Sequence, residues 1–167
     1  LAGLNILLHR YTGQVDICVG TPAANRTHMD MENVVGCFIN SLALRNNLAG
    51  TPSFRSLLKA LKENTLIAFQ YQDIPVESVI EHVVKDRDLS YRTLFQVLFV
   101  LQNTPAGTME KGIVSEHNVE ARYHSIGTPV AKFDISFIAD DTPSGIGIGI
   151  EFCADLFKRE SIKRMAA

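Results

Sequence analysis

Apolar residues recur along this chain in two rhythms, one helical and one extended. At the start the rhythm is helical: Leu1, Leu4, Leu7, Leu8 and Tyr11 fall on one face, and Gly13 is a fitting stop. Residues 15–20 then read as a buried strand, which Gly20, Thr21 and Pro22 are expected to end. Residues 21–31 are polar and turn-rich and predict a loop. From Phe38 to Leu44 the period is two, with Phe38, Asn40, Leu42 and Leu44 on one side and Ile39, Ser41 and Ala43 on the other. Both sides are largely apolar, which predicts a strand inside a sheet and covered on each face.

Helical spacing returns after Thr51 and Pro52, a pair suited to N-cap and first helical position. Phe54, Leu57, Leu58, Leu61, Thr65 and Ala68 predict an apolar stripe, with Arg55, Lys59, Lys62 and Glu63 facing water. Pro75 disfavours the helical region for the residue before it, so the helix is expected to break at Asp73-Ile74-Pro75. A second helix follows over 76–85, with Val76, Val79, Ile80 and Val83 on one side. Residues 94–101 read as a strand greasy on both faces, 104–112 as loop, and 113–123 as a more exposed strand. Two further strands, 132–139 and 146–152, flank a breaker-rich turn, and 158–165 begins a closing helix. Helices around strand clusters with long connections predict an α/β class, a two-layer sandwich with a mixed sheet.

Composition narrows the classes of function. The chain has 167 residues, one domain's worth, with 46% hydrophobic and 20% charged residues, as in an ordinary globular protein. A net charge of −2 makes no electrostatic case for nucleic acid or an anionic membrane. No apolar run is long enough to span a bilayer, and no secretory signal opens the chain. Cys18, Cys37 and Cys153 are far apart with no C-x-x-C spacing, which suits a reducing cytoplasm rather than a disulfide framework or a zinc site. The chain opens without Met inside an apolar periodic segment, and we expect it to be a piece of something longer.

Few residues suggest chemistry. Asn40 interrupts a greasy strand face, and a buried amide without partners costs about 1–3 kcal/mol. Either it satisfies neighbouring backbone or it lines a site; the residues alone leave both open. His82 and Asp86 have H-x-x-x-D spacing, but on a helix they are surface neighbours one turn apart. His9, His28, His117 and His124 are scattered without ligand spacing, and there is no G-x-S-x-G or H-E-x-x-H. The alternation of Gly145, Gly147 and Gly149 with Ile146, Ile148 and Ile150 marks a strand with one bare face, with no helix following to bind phosphate. That face suits tight packing against a helix, or close approach of a backbone or a pantetheine-like arm.

Three ordered motifs carry a resemblance. Val35, Gly36, Phe38, Ile39, Asn40, Ser41, Leu42 and Arg45 are similar to the [I/V]-G-x-F-[V/I]-N-[T/S]-[L/Q]-x-x-R motif of nonribosomal peptide synthetase condensation domains. Gln72, Asp73, Pro75 and Glu77 resemble the family's H-Q-D-x-P-F-E, with Tyr71 and Val76 departing. Arg87, Asp88, Ser90, Leu94 and Phe95 resemble R-D-x-S-R-N-P-L-F, with Tyr91, Arg92 and Thr93 departing. The likeness covers only the later half of such a domain, and H-H-x-x-x-D-G, the family's catalytic signature, is not in the chain.

The resemblance implies a chloramphenicol acetyltransferase-like C-terminal lobe spanning 1–167, forming one wall of a channel and inactive alone. The reaction implied is amide formation, an aminoacyl amine attacking a donor thioester, with an ordinary peptide-bond-forming subtype favoured over heterocyclisation or epimerisation. Substrates would arrive on phosphopantetheine arms of carrier proteins, and the lobe itself would bind no cofactor or metal directly. Implied partners are the N-terminal lobe, peptidyl or acyl carriers and an adjacent adenylation domain, in the cytoplasm. Asn40 and Ser41 are the candidates for lining the channel, and Asn25 and Arg26, matching G-T-P-x-x-N-R, for the loop at its floor. Gly36, Phe38, Arg45, Gln72, Asp73, Pro75, Arg87, Asp88 and Ser90 are motif positions expected to be structural, with Asp73 and Asp88 as N-caps. Two rivals stay open: a non-catalytic carrier-docking module, and a free-standing α/β acyltransferase.

Overall fold

The computed structural model describes residues 1–50, 53–84, 94–102, 114–116, 119–121, 130–142 and 145–167. Helix α1 (Ala2–Thr12) leads into β1 (Asp16–Ala23), a 3-10 turn (Met29–Met31) and β2 (Asn40–Asn47). Then come α2 (Phe54–Gln70), α3 (Val76–Val83), β3 (Val97–Gln102), β4 (Val114–Glu116), β5 (Val119–Ala121), β6 (Ile135–Thr142), β7 (Gly145–Phe152) and α4 (Arg159–Ala166). The sheet is mixed, in the order β2-β1-β3-β6-β7: β1, β3 and β6 run parallel, and β2 and β7 are antiparallel flanks. This is the expected α/β sandwich.

One face of the sheet makes the core. Ile17 and Val19 of β1 and Ile135 and Phe137 of β6 pack with Leu4 and Leu8 of α1, Leu57 and Leu61 of α2, and Ile162 of α4. Each such side chain contributes about 1.5–3 kcal/mol when fully buried. Helix α1 ends at Gly13, whose φ of 72° is the left-handed conformation glycine tolerates. On the opposite face Phe95 lies over Gly20 and stacks on Phe133 with ring centroids 5.8 Å apart. A Cβ at Gly20 would stand 2.0 Å from the Phe95 ring, so only glycine fits this crossing.

Several expectations are corrected. The strand carrying Asn40 begins at Asn40, not Phe38, and is an edge strand covered on one face: Leu42, Leu44 and Asn46 are buried, while Arg45 and Asn47 are exposed. Its other face offers only Ser41 and Ala43 before a charge, too little apolar surface to draw a second layer. Strand β1 does not stop at Gly20 but runs to Ala23, because Thr21, Pro22 and Ala23 pair with Leu42, Ser41 and Asn40. Helix α2 is capped by Ser53, whose hydroxyl accepts from the Ser56 N–H at 3.2 Å. The expected cap, Thr51, and Pro52 lie outside the described residues.

The stripe on α2 is narrower than expected: Leu57 and Leu61 are buried, whereas Phe54 and Leu58 are exposed. Val83 is exposed on α3 as well. Within 113–123 the described residues form two short antiparallel strands, β4 and β5, rather than one. Strands β3 and β6 start three residues later than expected. Among the described residues the bare face of β7 meets no helix: a Cβ at Gly147 or Gly149 would touch only the carbonyl oxygens of Asp140 and Ile138, at 4.0 and 3.8 Å. His82 donates from Nδ1 to the Ser78 carbonyl at 2.7 Å, within its own helix, and Asp86 lies outside the described residues.

Candidate functional site: the Asn40 corner

Ala23 pairs with Asn40 at the end of the β1–β2 ladder, and the α2–α3 turn folds back onto this end of the edge strand. Helix α2 stops at Gln70 because Pro75 cannot continue it; beyond the turn Pro75 serves as the N-cap position of α3. A turn of this kind exposes carbonyls at one helix end and N–H groups at the next. The Asn40 carboxamide satisfies both. Its Nδ2 donates to the carbonyls of Gln72 at 2.8 Å and Ile74 at 2.6 Å. Its Oδ1 accepts from the Val76 N–H at 3.3 Å and the Ser41 N–H at 2.9 Å. Two donors and two acceptor sites are all an asparagine side chain has, so this amide is saturated by backbone.

Asp73 is therefore not the N-cap of α3. The first N–H of the helix is capped from another element, by Asn40. Gln72 enters through its backbone carbonyl, not its side chain.

Beside the clamp lies an open cavity of about 310 Å³. Asn25, Phe38, Ile39, Asn40 and Ser41 line it from the β1–β2 connection and the start of β2. Asp73, Pro75, Val76 and Glu77 line it from the α2–α3 turn and the start of α3. The lining thus mixes apolar residues with two acidic ones. Asn25 holds a φ of 53°, a left-handed conformation that asparagine tolerates better than most residues. Arg26, next to it, stacks on Phe38 with Cζ 4.5 Å from the ring centroid and bonds to the carbonyls of Met31 and Gly36.

The fold thus brings Asn25, Arg26, Gly36, Phe38, Asn40, Ser41, Gln72, Asp73 and Pro75 into one corner. Arg45 does not belong to it. It lies on the opposite face of β2, five residues and roughly 16 Å along the strand. There its guanidinium makes a two-pronged pair with Asp16, at 2.7 to 3.1 Å. Those bonds hold the Asp16 carboxyl below the usual carboxylate range, and the Arg45 guanidinium is raised in return. Burial pushes the neighbouring Cys18 thiol up, so it is a poor nucleophile. Arg87, Asp88 and Ser90 lie outside the described residues.

Sequence reasoning missed a second set of amides. Asn46, buried on the same face as Leu42 and Leu44, donates to Asn5 Oδ1 at 3.4 Å and accepts from Asn64 Nδ2 at 3.2 Å. Asn5 is fully buried and donates to the Leu1 carbonyl at 3.1 Å. Carrying the two-residue period past Leu44 would have put Asn46 on the covered face. Among the described residues no buried polar side-chain atom lacks a partner, and no group of three or more His, Cys, Asp and Glu is placed to hold a metal ion. No described helix is long and apolar enough to cross a membrane.

Comparison with known proteins identifies the family. A family model described as Condensation domain matches residues 1–167. Tyrocidine synthase 3 of Brevibacillus parabrevis is 40% identical over 166 residues, 99% of this chain, and gramicidin S synthase 2 of Brevibacillus brevis is 39% identical over the same share. Bacitracin synthase 1 of Bacillus licheniformis is 39% identical, again over 99% of this chain. The chain spans only 2 to 4% of the length of these three relatives. Among solved structures, a four-domain nonribosomal peptide synthetase bound to AMP and glycine superposes with a TM-score of 0.86 at 20% identity, over 99% of this chain and 13% of that one. The X-domain from teicoplanin biosynthesis superposes with a TM-score of 0.82 at 23% identity, over 99% and 37% of the two chains. This chain belongs to the condensation-domain family of nonribosomal peptide synthetases.

Proposed function

We propose that residues 1–167 are the C-terminal lobe of a peptide-bond-forming condensation domain, and that the corner at Asn40 is one wall of its substrate channel. The observation that carries this reading is the meeting of residues from three separated stretches, 25–26, 36–41 and 72–77, around one open cavity. Each of the three stretches carries a motif of the family. In the reaction, the amine of an acceptor aminoacyl group attacks the thioester carbonyl of a donor, and the carrier thiol leaves. Both groups would arrive on phosphopantetheine arms of carrier proteins, with an adenylation domain as neighbour.

The lobe's part in that reaction is shape. Asn40 has no free donor or acceptor for the reacting carbonyl, so it acts by fixing the 72–76 turn against β2. A proton acceptor within hydrogen-bond reach of the attacking amine is supplied from outside this chain. Asp73 and Glu77 put two acidic residues among those lining this wall.

The test is reconstitution. The chain, alone and then with the missing first lobe, is mixed with carrier-loaded donor and acceptor, and dipeptidyl product is followed by mass spectrometry. The expected result is no turnover alone and turnover on reassembly. Turnover by the chain alone would instead identify a free-standing acyltransferase, and carrier binding without rescue a docking module. Within the reassembled domain Asn40→Ala is expected to lower turnover; unchanged turnover removes the corner from the channel.

A further inference from the structure

We propose that Arg26 is a positioning residue that locks the loop between β1 and β2 and so sets the cavity wall at Asn25 and Phe38. Ala23 and Asn40 are ladder partners, yet residues 24–39 separate them. That is a longer connection than the roughly 12–15 residues beyond which structureless loops become uncommon. A loop of this length needs something to hold it, and burial does not: Met29, Val34, Val35 and Ile39 are all exposed. Its regular structure is a single 3-10 turn at Met29–Met31.

Arg26 supplies the missing ties. One guanidinium nitrogen, Nη1, donates to the Met31 carbonyl, and the other, Nη2, donates to the Gly36 carbonyl at 3.3 Å. The guanidinium also lies over the Phe38 ring at 4.5 Å. One planar cation thus fastens the early, middle and late parts of the loop together. Gly36 is part of the lock, since a Cβ there would stand 3.2 Å from the same ring. The two residues at the ends of this arrangement, Asn25 and Phe38, line the cavity, whereas Arg26 does not. Lysine cannot replace it. An ammonium is a compact donor with no plane to stack and no two-nitrogen fork, so it does not reproduce two carbonyl bonds made from a stacked guanidinium.

The locking claim stands on its own; the claim that it matters to catalysis rests on reading the cavity as a channel wall. Hydrogen exchange on the full chain tests the first. In Arg26→Lys and Arg26→Met, amides of 27–39 are expected to exchange about tenfold faster or more, while those of β1 and β6 change by less than about twofold. No local change, or an equal rise across the sheet, overturns the lock. Steady-state turnover of the reassembled domain tests the second. Arg26→Lys is expected to raise KM for a carrier-bound substrate about tenfold with kcat within about twofold. If Arg26→Lys loosens the loop but leaves KM unchanged while Asn40→Ala still lowers turnover, the positioning role is overturned and the channel reading survives. If neither substitution alters turnover, the channel reading itself has failed.

Discussion

Asn40 and Asn46 stand six residues apart on the same face of β2, and the same side chain does different work at each place. Asn46 is 3% exposed and bonds other amides, Asn5 in α1 and Asn64 in α2, so that two helices and a strand share one polar seam under the core. Asn40 is half-buried at the strand's mouth, bonds only backbone, and borders a cavity. A buried polar network specifies how elements register with one another; a polar clamp at an opening specifies the shape of that opening. The difference lies in what surrounds each amide, not in the amide.

Three changes sharpen or break this contrast. Asn46→Ala is expected to have the largest effect on stability. It leaves Asn5 Oδ1 buried without its donor, at a cost of about 1–3 kcal/mol. For a chain of this size that corresponds to a Tm lower by roughly 2–4 °C per kcal/mol. Calorimetry on the purified chain reads this, and an unchanged Tm would show that water or repacking satisfies Asn5. Asn40→Ala should cost less in Tm, about 1 kcal/mol, because water can reach the freed groups. Its mark is local: amides of the 72–76 turn should exchange faster while those of α1 stay protected. If the loss is global and equals that of Asn46→Ala, the two amides are not different in kind.

The smallest effect belongs to Asp16 of β1 and Arg45 of β2, paired across the two strands on the uncovered face of the sheet. Asp16 has its folded pKa depressed, chiefly by hydrogen bonds from Arg45, relative to an ordinary value of 3.8. The pair's contribution is therefore present above pH 3.8 and lost as pH falls through the lower, folded pKa. Asp16→Asn should narrow its small Tm difference from the parent chain over that acid range, and added salt should narrow it at neutral pH. Both side chains are largely in water, so a difference that survives molar salt would contradict this picture.

Much of this was legible in the sequence, and the errors have physical causes. The helices at 2–12 and 54–70 follow from spacing and stop residues, and the hairpin of β6 and β7 from its breaker-rich turn. Asn40 was legible as an anomaly, an amide among Phe38, Leu42 and Leu44, but its partners were not. Three of the four are two carbonyls and an N–H more than 30 residues away, and backbone groups leave no trace in a residue pattern. The edge position of β2 was misread because Ser41 and Ala43 look compatible with burial, whereas covering a face needs another layer that local sequence does not reveal. Arg26 was picked by motif, but its ties to Met31, Gly36 and Phe38 depend on the loop's path.

The sheet order has a consequence for how the chain assembles. Strands β1–β2 and β6–β7 are two hairpins, each between consecutive strands, and β3 is the keystone that joins them. Its joints are unequal. It aligns with β6 from Val97↔Ile135 to Gln102↔Asp140, but with β1 only at Gly20↔Leu98, a bridge across an excursion that includes α2 and α3. On a ribosome the first hairpin can pair along its whole length, yet its β1 edge waits unjoined until β3 emerges. The helices offset that inequality, since side chains of α1, α2 and α4 tie Ile17 and Val19 to Ile135 and Phe137 across the same line.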